Sequence, residues 1–311
     1  MPDASSINPG VRVTVPAWKE LCRRCNELYA APDSWWRTVL SDPEVIVRVD
    51  REAVSLRLRG NLLLRVELRG RGLHCRVPSE YLLRRHPGSL SVLCEETSPA
   101  PPCVSSLNGL GADYALVRRR ACGVTDRRRA VQDRLFLRHG VFLTVDAPLP
   151  PGNADLLAVH PGGYGVVFLL QRYADADLRL AGPGGVAHCL ARWRAWLRGD
   201  TAKTHVTELA DRLRSLHGPL RRRFEHFPEV GRMFPRPRLL LVDFDHAQRL
   251  GSLDTLCGTL MRLDPELERN DILASGDPGN ISIKTLFSGL EADPVENRWK
   301  VIKNTKKQLF N

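Results

Sequence analysis

The chain has 311 residues, 43% of them hydrophobic, enough to bury the core of one large domain or two ordinary ones. No apolar run approaches the roughly 18–20 residues that span a bilayer, and the opening residues (MPDASSINPGVRVTVP) lack the basic start and apolar block of a signal peptide. An integral membrane protein is therefore excluded, and the cytoplasm is the expected compartment. The formal charge of +11 favours an anionic partner, although arginine supplies nearly all of it, a bias that GC-rich coding also produces.

Residues 17–40 read as helical. Trp35 and Trp36 are expected to anchor packing, and Cys22 and Cys25 read as two packed thiols on a helix, because no second cysteine pair follows at zinc-ribbon spacing. From Glu44 to Val77 apolar residues alternate with polar ones, broken at Asp50-Arg51, Gly60-Asn61 and Gly70-Arg71-Gly72. That pattern predicts an antiparallel meander of about four strands with one wet face. The wet face carries Arg48, Arg57, Arg59, Arg65, Arg69 and Arg76. It reads as a solvated face in preference to a nucleic-acid platform, since it lacks exposed aromatics for base stacking.

Residues 1–98 are thus expected to form a helix plus an antiparallel β domain, with 99–124 a Pro-, Ser- and Gly-containing linker. An α/β domain over 125–290 and a basic tail over 291–311 would follow. In the second domain, Thr125 or Asp126 caps a helix reaching about His139, whose first turn is Arg127-Arg128-Arg129. Basic residues there oppose the helix dipole, as an anion-facing helix would. Strands follow at Val141–Val145, Ala154–Val159 and Val166–Leu170, the last two joined by a Gly-rich turn. Helices are expected at 186–197, on Val186, Leu190, Trp193 and Leu197, and from His205 to Phe227, the latter bearing Arg221, Arg222 and Arg223. Arg238–Phe244 reads as a buried strand and Leu253, Leu256, Leu260 and Leu263 as one face of a helix. Asp243-Phe244-Asp245-His246 is a secondary polar cluster, read first as a cap for the next segment.

The resulting helix–strand–strand–strand–helix–strand order, with Asp155 on the second strand and apolar third and fourth strands, resembles the PD-(D/E)xK nuclease-like superfamily. The likeness is closest to bacterial members in which the domain follows a β-rich region. It rests on Asp155-Leu-Leu, on Val166-Val-Phe-Leu-Leu-Gln171-Arg-Tyr173, on the Leu190–Leu197 helix and on Arg238–Phe244. The resemblance implies an α/β (α+β) restriction-endonuclease-like αβββαβ mixed-sheet core, here preceded by an antiparallel β-meander with a helix. It places Asp155 on the metal-binding aspartate, Leu169 on the glutamate and Gln171 on the lysine.

In active members the two carboxylates hold Mg²⁺, which activates water and stabilises the phosphorane. A leucine cannot ligate a hard cation, and a glutamine brings no charge. The expected protein is therefore catalytically inactive and without a cofactor. It would bind nucleic acid through Arg127, Arg128, Arg129, Arg172, Arg221, Arg222 and Arg223, or join a protein partner in a DNA-processing or defence assembly. Two alternatives stand beside this. One is an Mg²⁺-dependent nuclease with a rearranged site, Asp155 working with Asp133 of the preceding helix or with Asp175. The other is a structural protein-interaction subunit. Asp155 also has a plainer role open to it, pinning the turn after Pro151-Gly152-Asn153.

Overall fold

The computed structural model describes residues 15–32, 34–50, 52–69, 72–78, 90–94, 114–123, 126–216, 224 and 227–290. They form a mixed α and β protein built on two sheets. Among these residues no helix is long and apolar enough to cross a membrane.

The alternating segment forms an antiparallel sheet whose strands lie in chain order: β1 (Val45–Val49), β2 (Ala53–Leu58), β3 (Asn61–Arg69), β4 (Gly72–Pro78) and β5 (Leu90–Cys94). The first four are the meander read from the sequence, and β5 extends it. Ahead of the sheet, the span expected as one helix divides into α1 (Val15–Ala30) and α2 (Trp35–Leu40). Pro32 lacks a backbone donor, and the Ser34 hydroxyl accepts the Trp36 N–H at 3.2 Å, so a new helix starts there. Trp35 and Trp36 are buried edge to face, 5.6 Å between ring centres, as packing anchors. Cys22 and Cys25 are buried on α1, and burial pushes the Cys22 thiol up to about 12.

The second sheet has the order β11–β10–β8–β7–β6. β6 (Phe142–Leu149), β7 (Gly152–Val159) and β8 (Tyr164–Arg172) form an antiparallel meander. β10 (Arg238–Val242) runs parallel to β8, β11 (Ile272–Ser275) runs parallel to β10, and the short β9 (Arg232–Met233) joins the start of β8. β6 runs past the expected Val145 through Pro148, which a strand at the sheet edge tolerates because a missing N–H there breaks no ladder.

The remaining helices pack against both sheets, the first of them against β2 and β3. α3 (Tyr114–Gly123) falls within the span expected as a linker, and residues 99–113 lie outside the described residues. α4 (Arg127–Arg138) is capped by Asp126, whose carboxylate accepts the Arg129 N–H at 3.1 Å, and it buries Val131, Leu135 and Phe136. α5 (Val186–Leu197) buries its expected stripe of Val186, Leu190, Trp193 and Leu197.

α6 (Thr201–Ser215) begins earlier than expected and stops well before Phe227. Leu216 is already extended at ψ 129°, and the Gly218-Pro219 pair that follows in sequence disfavours helix, so an apolar stripe at helical spacing did not imply a continuous helix. Arg221, Arg222 and Arg223 lie outside the described residues, as does the 291–311 tail. After β10, Asp245 caps α7 (His246–Leu250) through a reciprocal pairing with Gln248, the capping role expected of that polar cluster. α8 (Ser252–Leu263) buries Leu253, Leu256 and Leu260 but leaves Leu263 exposed, and α9 (Ile283–Leu286) closes the described chain.

The two sheets meet where edge strand β1 lies against edge strand β6. Their buried side chains, from Ile46 and Leu56 to Leu135 and Val145, form one continuous core. A second junction is the β2–β3 turn, which presses on the first turn of α4. A methyl group built on Gly60 would stand 2.9 Å from the Ala130 nitrogen and 3.0 Å from the Arg129 Cβ, and φ there is +90°. Only glycine meets both demands at once.

Candidate functional site

The site grows from a fork in the second sheet. β7 and β8 pair from Val159 opposite Gly165 to Leu156 opposite Phe168, and then they part. Beyond that point β7 continues against β6 and β8 continues against β10. The parting leaves the Leu170 N–H without a strand partner on the β7 side, and a buried N–H without a partner is costly. Asp155 sits at the crotch and accepts that N–H on Oδ2 at 2.7 Å.

Two further donors converge on the same carboxylate from α4. Arg128 Nη2 reaches Oδ2 at 2.8 Å, and Gln132 Nε2 reaches Oδ1 at 2.5 Å. Residues four apart share a helix face, so Arg128 and Gln132 arrive together. Asp155 is only 6% exposed. Burial pushes its carboxyl above the ordinary range, against the pull of Arg128 and of the Leu170 N–H. Burial works to lower the Arg128 guanidinium, but Asp155, with Asp175 and Asp177 at longer range, holds it above its ordinary value.

Leu169 and Gln171 occupy the neighbouring strand positions and are both buried; Gln171 Oε1 has no hydrogen-bond partner among the described residues. Asp133 is turned away from Asp155. Its Oδ1 lies 3.0 Å from Arg57 Nη2, and its Oδ2 accepts the Gly60 N–H at 2.5 Å. Burial pushes Asp133 up to about 6, and burial likewise pushes the Arg57 guanidinium down. The pairing of Asp155 with Asp133 expected for a rearranged site is therefore not formed: Asp133 faces Arg57 and the β2–β3 turn, and Gln132 lies between the two carboxylates, its amide nitrogen on Asp155 and its oxygen 3.5 Å from Arg57 Nη2. Asp175 is likewise committed, accepting the Arg172 backbone N–H at 2.8 Å and pairing with its guanidinium at 3.0 Å. Nor does Asp155 pin the turn that precedes it; it caps a strand on the far side of the fork.

From Arg57 the polar network runs out across the first sheet. Arg57 faces Asp146 at 3.6 Å, Arg48 joins Asp146 at 2.6 Å and Asp50 at 2.9 Å, and Arg65 joins Asp50 at 2.6 Å and Glu67 at 3.0 Å. The face read as solvated is thus a ladder of alternating charge, and Arg57 is buried at 4% exposure. Of the remaining arginines singled out from the sequence, Arg127 and Arg129 are exposed on α4, Arg129 lying 3.6 Å from Asp126.

This geometry does not fit Mg²⁺. The cation needs several oxygen ligands in near-octahedral array. Here one carboxylate is surrounded by three N–H donors, one of them cationic, with a leucine on the adjacent strand. Among the described residues no group of three or more His, Cys, Asp or Glu side chains is placed to hold a metal. Gln132, like Asp133, was expected from the sequence to lie near the site; the contribution of Arg128 was hidden, because residues 127–129 look like one basic cluster, and its four-residue spacing from Gln132 was the available signal.

Comparison of the chain with protein-family models, with curated proteins and with solved structures finds no match.

Proposed function

We propose that the chain is a nuclease-like protein of the PD-(D/E)xK kind whose catalytic position has become a structural clamp. It binds nucleic acid without cutting it, alone or as a subunit of a DNA-processing or defence assembly. The order α4–β6–β7–β8–α5–β10, with β10 parallel to β8, supports the αβββαβ reading. The fork at Asp155, Leu169 and Gln171 lies where that reading places a catalytic centre.

The observation that carries the loss of catalysis is the Arg128 guanidinium on Asp155 at 2.8 Å. A positive charge already stands beside the carboxylate, and it cannot supply the metal-bound water on which metal-dependent hydrolysis of a phosphodiester relies. What remains is a rigid scaffold with a formal charge of +11. A role in protein assembly independent of nucleic acid draws support from the internal pairing of the sheet arginines, which removes them as an anion platform.

The test is incubation of the full chain with labelled single- and double-stranded DNA and RNA in Mg²⁺ or Mn²⁺, with binding read in parallel. The expected result is retention without cleavage. Cleavage abolished by Asp155→Ala would refute the inactive reading, and no retention of any nucleic acid at low salt would refute the binding reading.

A further inference from the structure

Among the described arginines two groups stand in contrast, and the contrast locates a surface. Those on the first sheet and at the fork are held by carboxylates. On the outer side of α4 the situation is reversed. Arg127, Arg134 and Arg138 are exposed, and among the described residues none of them has an ion pair or side-chain hydrogen bond. At about 100° per residue the three fall within roughly 40° of arc, one stripe along the helix with rises of about 10 and about 6 Å between them. The buried residues Val131, Gln132, Leu135 and Phe136 are centred about 110° further round the helix, Val131 bordering the stripe. Arg119 on α3 is exposed and unpaired in the same sense, whereas its neighbour Arg118 is bound to Asp42 and Glu44, each at 2.7 Å. The ends of α3 and α4 meet at one turn: Asn61 Nδ2 donates to the Ala121 carbonyl at 2.8 Å, and the adjacent Gly60 abuts Ala130.

We infer that the α4 stripe of Arg127, Arg134 and Arg138 is where the backbone of a nucleic-acid duplex docks. This rests on the nucleic-acid reading proposed above and goes further by naming the face and the form of the ligand. The charge is complementary and uncompensated. Arg127 stands in the first turn of its helix, where a cation is disfavoured by the helix dipole until an anion approaches. The large apolar side chains that are exposed among the described residues are Leu180, Leu250 and Leu263, so α4 offers no aromatic platform for unstacked bases. A duplex, with its phosphates outermost and its bases stacked inside, suits a bare stripe of guanidinium groups. The contact reads charge and not sequence.

Fluorescence anisotropy of the full chain with a labelled duplex, between 50 and 200 mM salt, tests this. The triple variant Arg127→Gln, Arg134→Gln, Arg138→Gln is expected to bind at least tenfold more weakly at the low-salt end. Losing three phosphate contacts should also flatten the slope of log affinity against log salt by about 2.7. A control with Arg249→Gln and Arg262→Gln, exposed on α7 and α8, should keep both affinity and slope. Equal losses in the two variants would show diffuse binding, which overturns the stripe and leaves the nucleic-acid reading standing. Tighter binding of a single strand than of the duplex overturns the choice of duplex. If the unaltered chain binds neither, the functional reading falls and the surface falls with it. An unchanged circular dichroism spectrum and melting temperature in the triple variant separates lost binding from lost fold.

Discussion

The paired arginines of the first sheet and fork and the bare arginines of α4 are the same side chain put to opposite uses. Arg57 is buried, with Asp133, Asp146 and Gln132 around it, and joins the two sheets; Arg134 is exposed with no partner among the described residues. Net charge counts them alike. A buried guanidinium that has met its carboxylates offers nothing to an external phosphate, and removing its partner strands a charge in a medium of low polarity. An exposed and unpaired one contributes little to folding and retains its full field. In this chain, the location of the acidic residues separates structural arginines from those free to bind.

The sharpest way to break that distinction is to treat a paired arginine as though it were a free one. Arg57→Ala leaves Asp133 buried without its cation and should lower unfolding free energy by about 3–5 kcal/mol in urea denaturation. A loss under 1 kcal/mol would mean that the junction is not held by this pair. Asp133 also gives the junction a pH dependence. Burial pushes its carboxyl up to about 6 when folded, from the 3.8 of an exposed aspartate, so the folded state binds the proton more tightly. The associated stability is present below pH 4 and lost as pH rises through 6, about 3 kcal/mol in all. Urea midpoints from pH 4 to pH 7 should therefore fall for the unaltered chain relative to Asp133→Asn; parallel curves would show that Asp133 titrates normally.

Gly60→Ala probes the same junction through the backbone. With a φ of +90° and 2.9 Å to the Ala130 nitrogen, the added methyl has no low-energy position. A cost of about 2–3 kcal/mol is expected in thermal or chemical unfolding. A neutral effect would place the turn away from α4 in solution. At the small end, any single Arg→Gln change at 127, 134 or 138 should alter stability by no more than about 0.5 kcal/mol. A larger loss would mean that these side chains have structural partners after all.

Much of this architecture was legible in the sequence because each element announces itself locally. The alternation from Val45 to Val77, the apolar runs of β8 and β10, the Asp126 cap and the α5 stripe all appear where those signals lie. The misses have physical causes. Leu216 looked like one more helical apolar residue, but Gly218-Pro219 lies just beyond it. β11 has four residues, too few to show a period, and α3 buries only Val117 and Ala121. At the site, Asp155, Leu169 and Gln171 were identifiable through the resemblance, and Asp155 meets the strand between the other two, at the Leu170 N–H. What fills the fork was not identifiable, because residues 127–129 are adjacent in sequence but about 100° apart around a helix. Only in three dimensions does Arg128 face the carboxylate while Arg127 faces solvent.

The central claim is that a guanidinium stands beside Asp155 where a nuclease would hold a metal. Titration of Mn²⁺ into the full chain, followed by electron paramagnetic resonance, tests it most directly, with Asp155→Ala measured beside it. The unaltered chain should show no saturable Mn²⁺ binding that Asp155→Ala removes. A stoichiometric site that disappears in Asp155→Ala would show that the carboxylate binds metal in spite of Arg128, and would contradict the account.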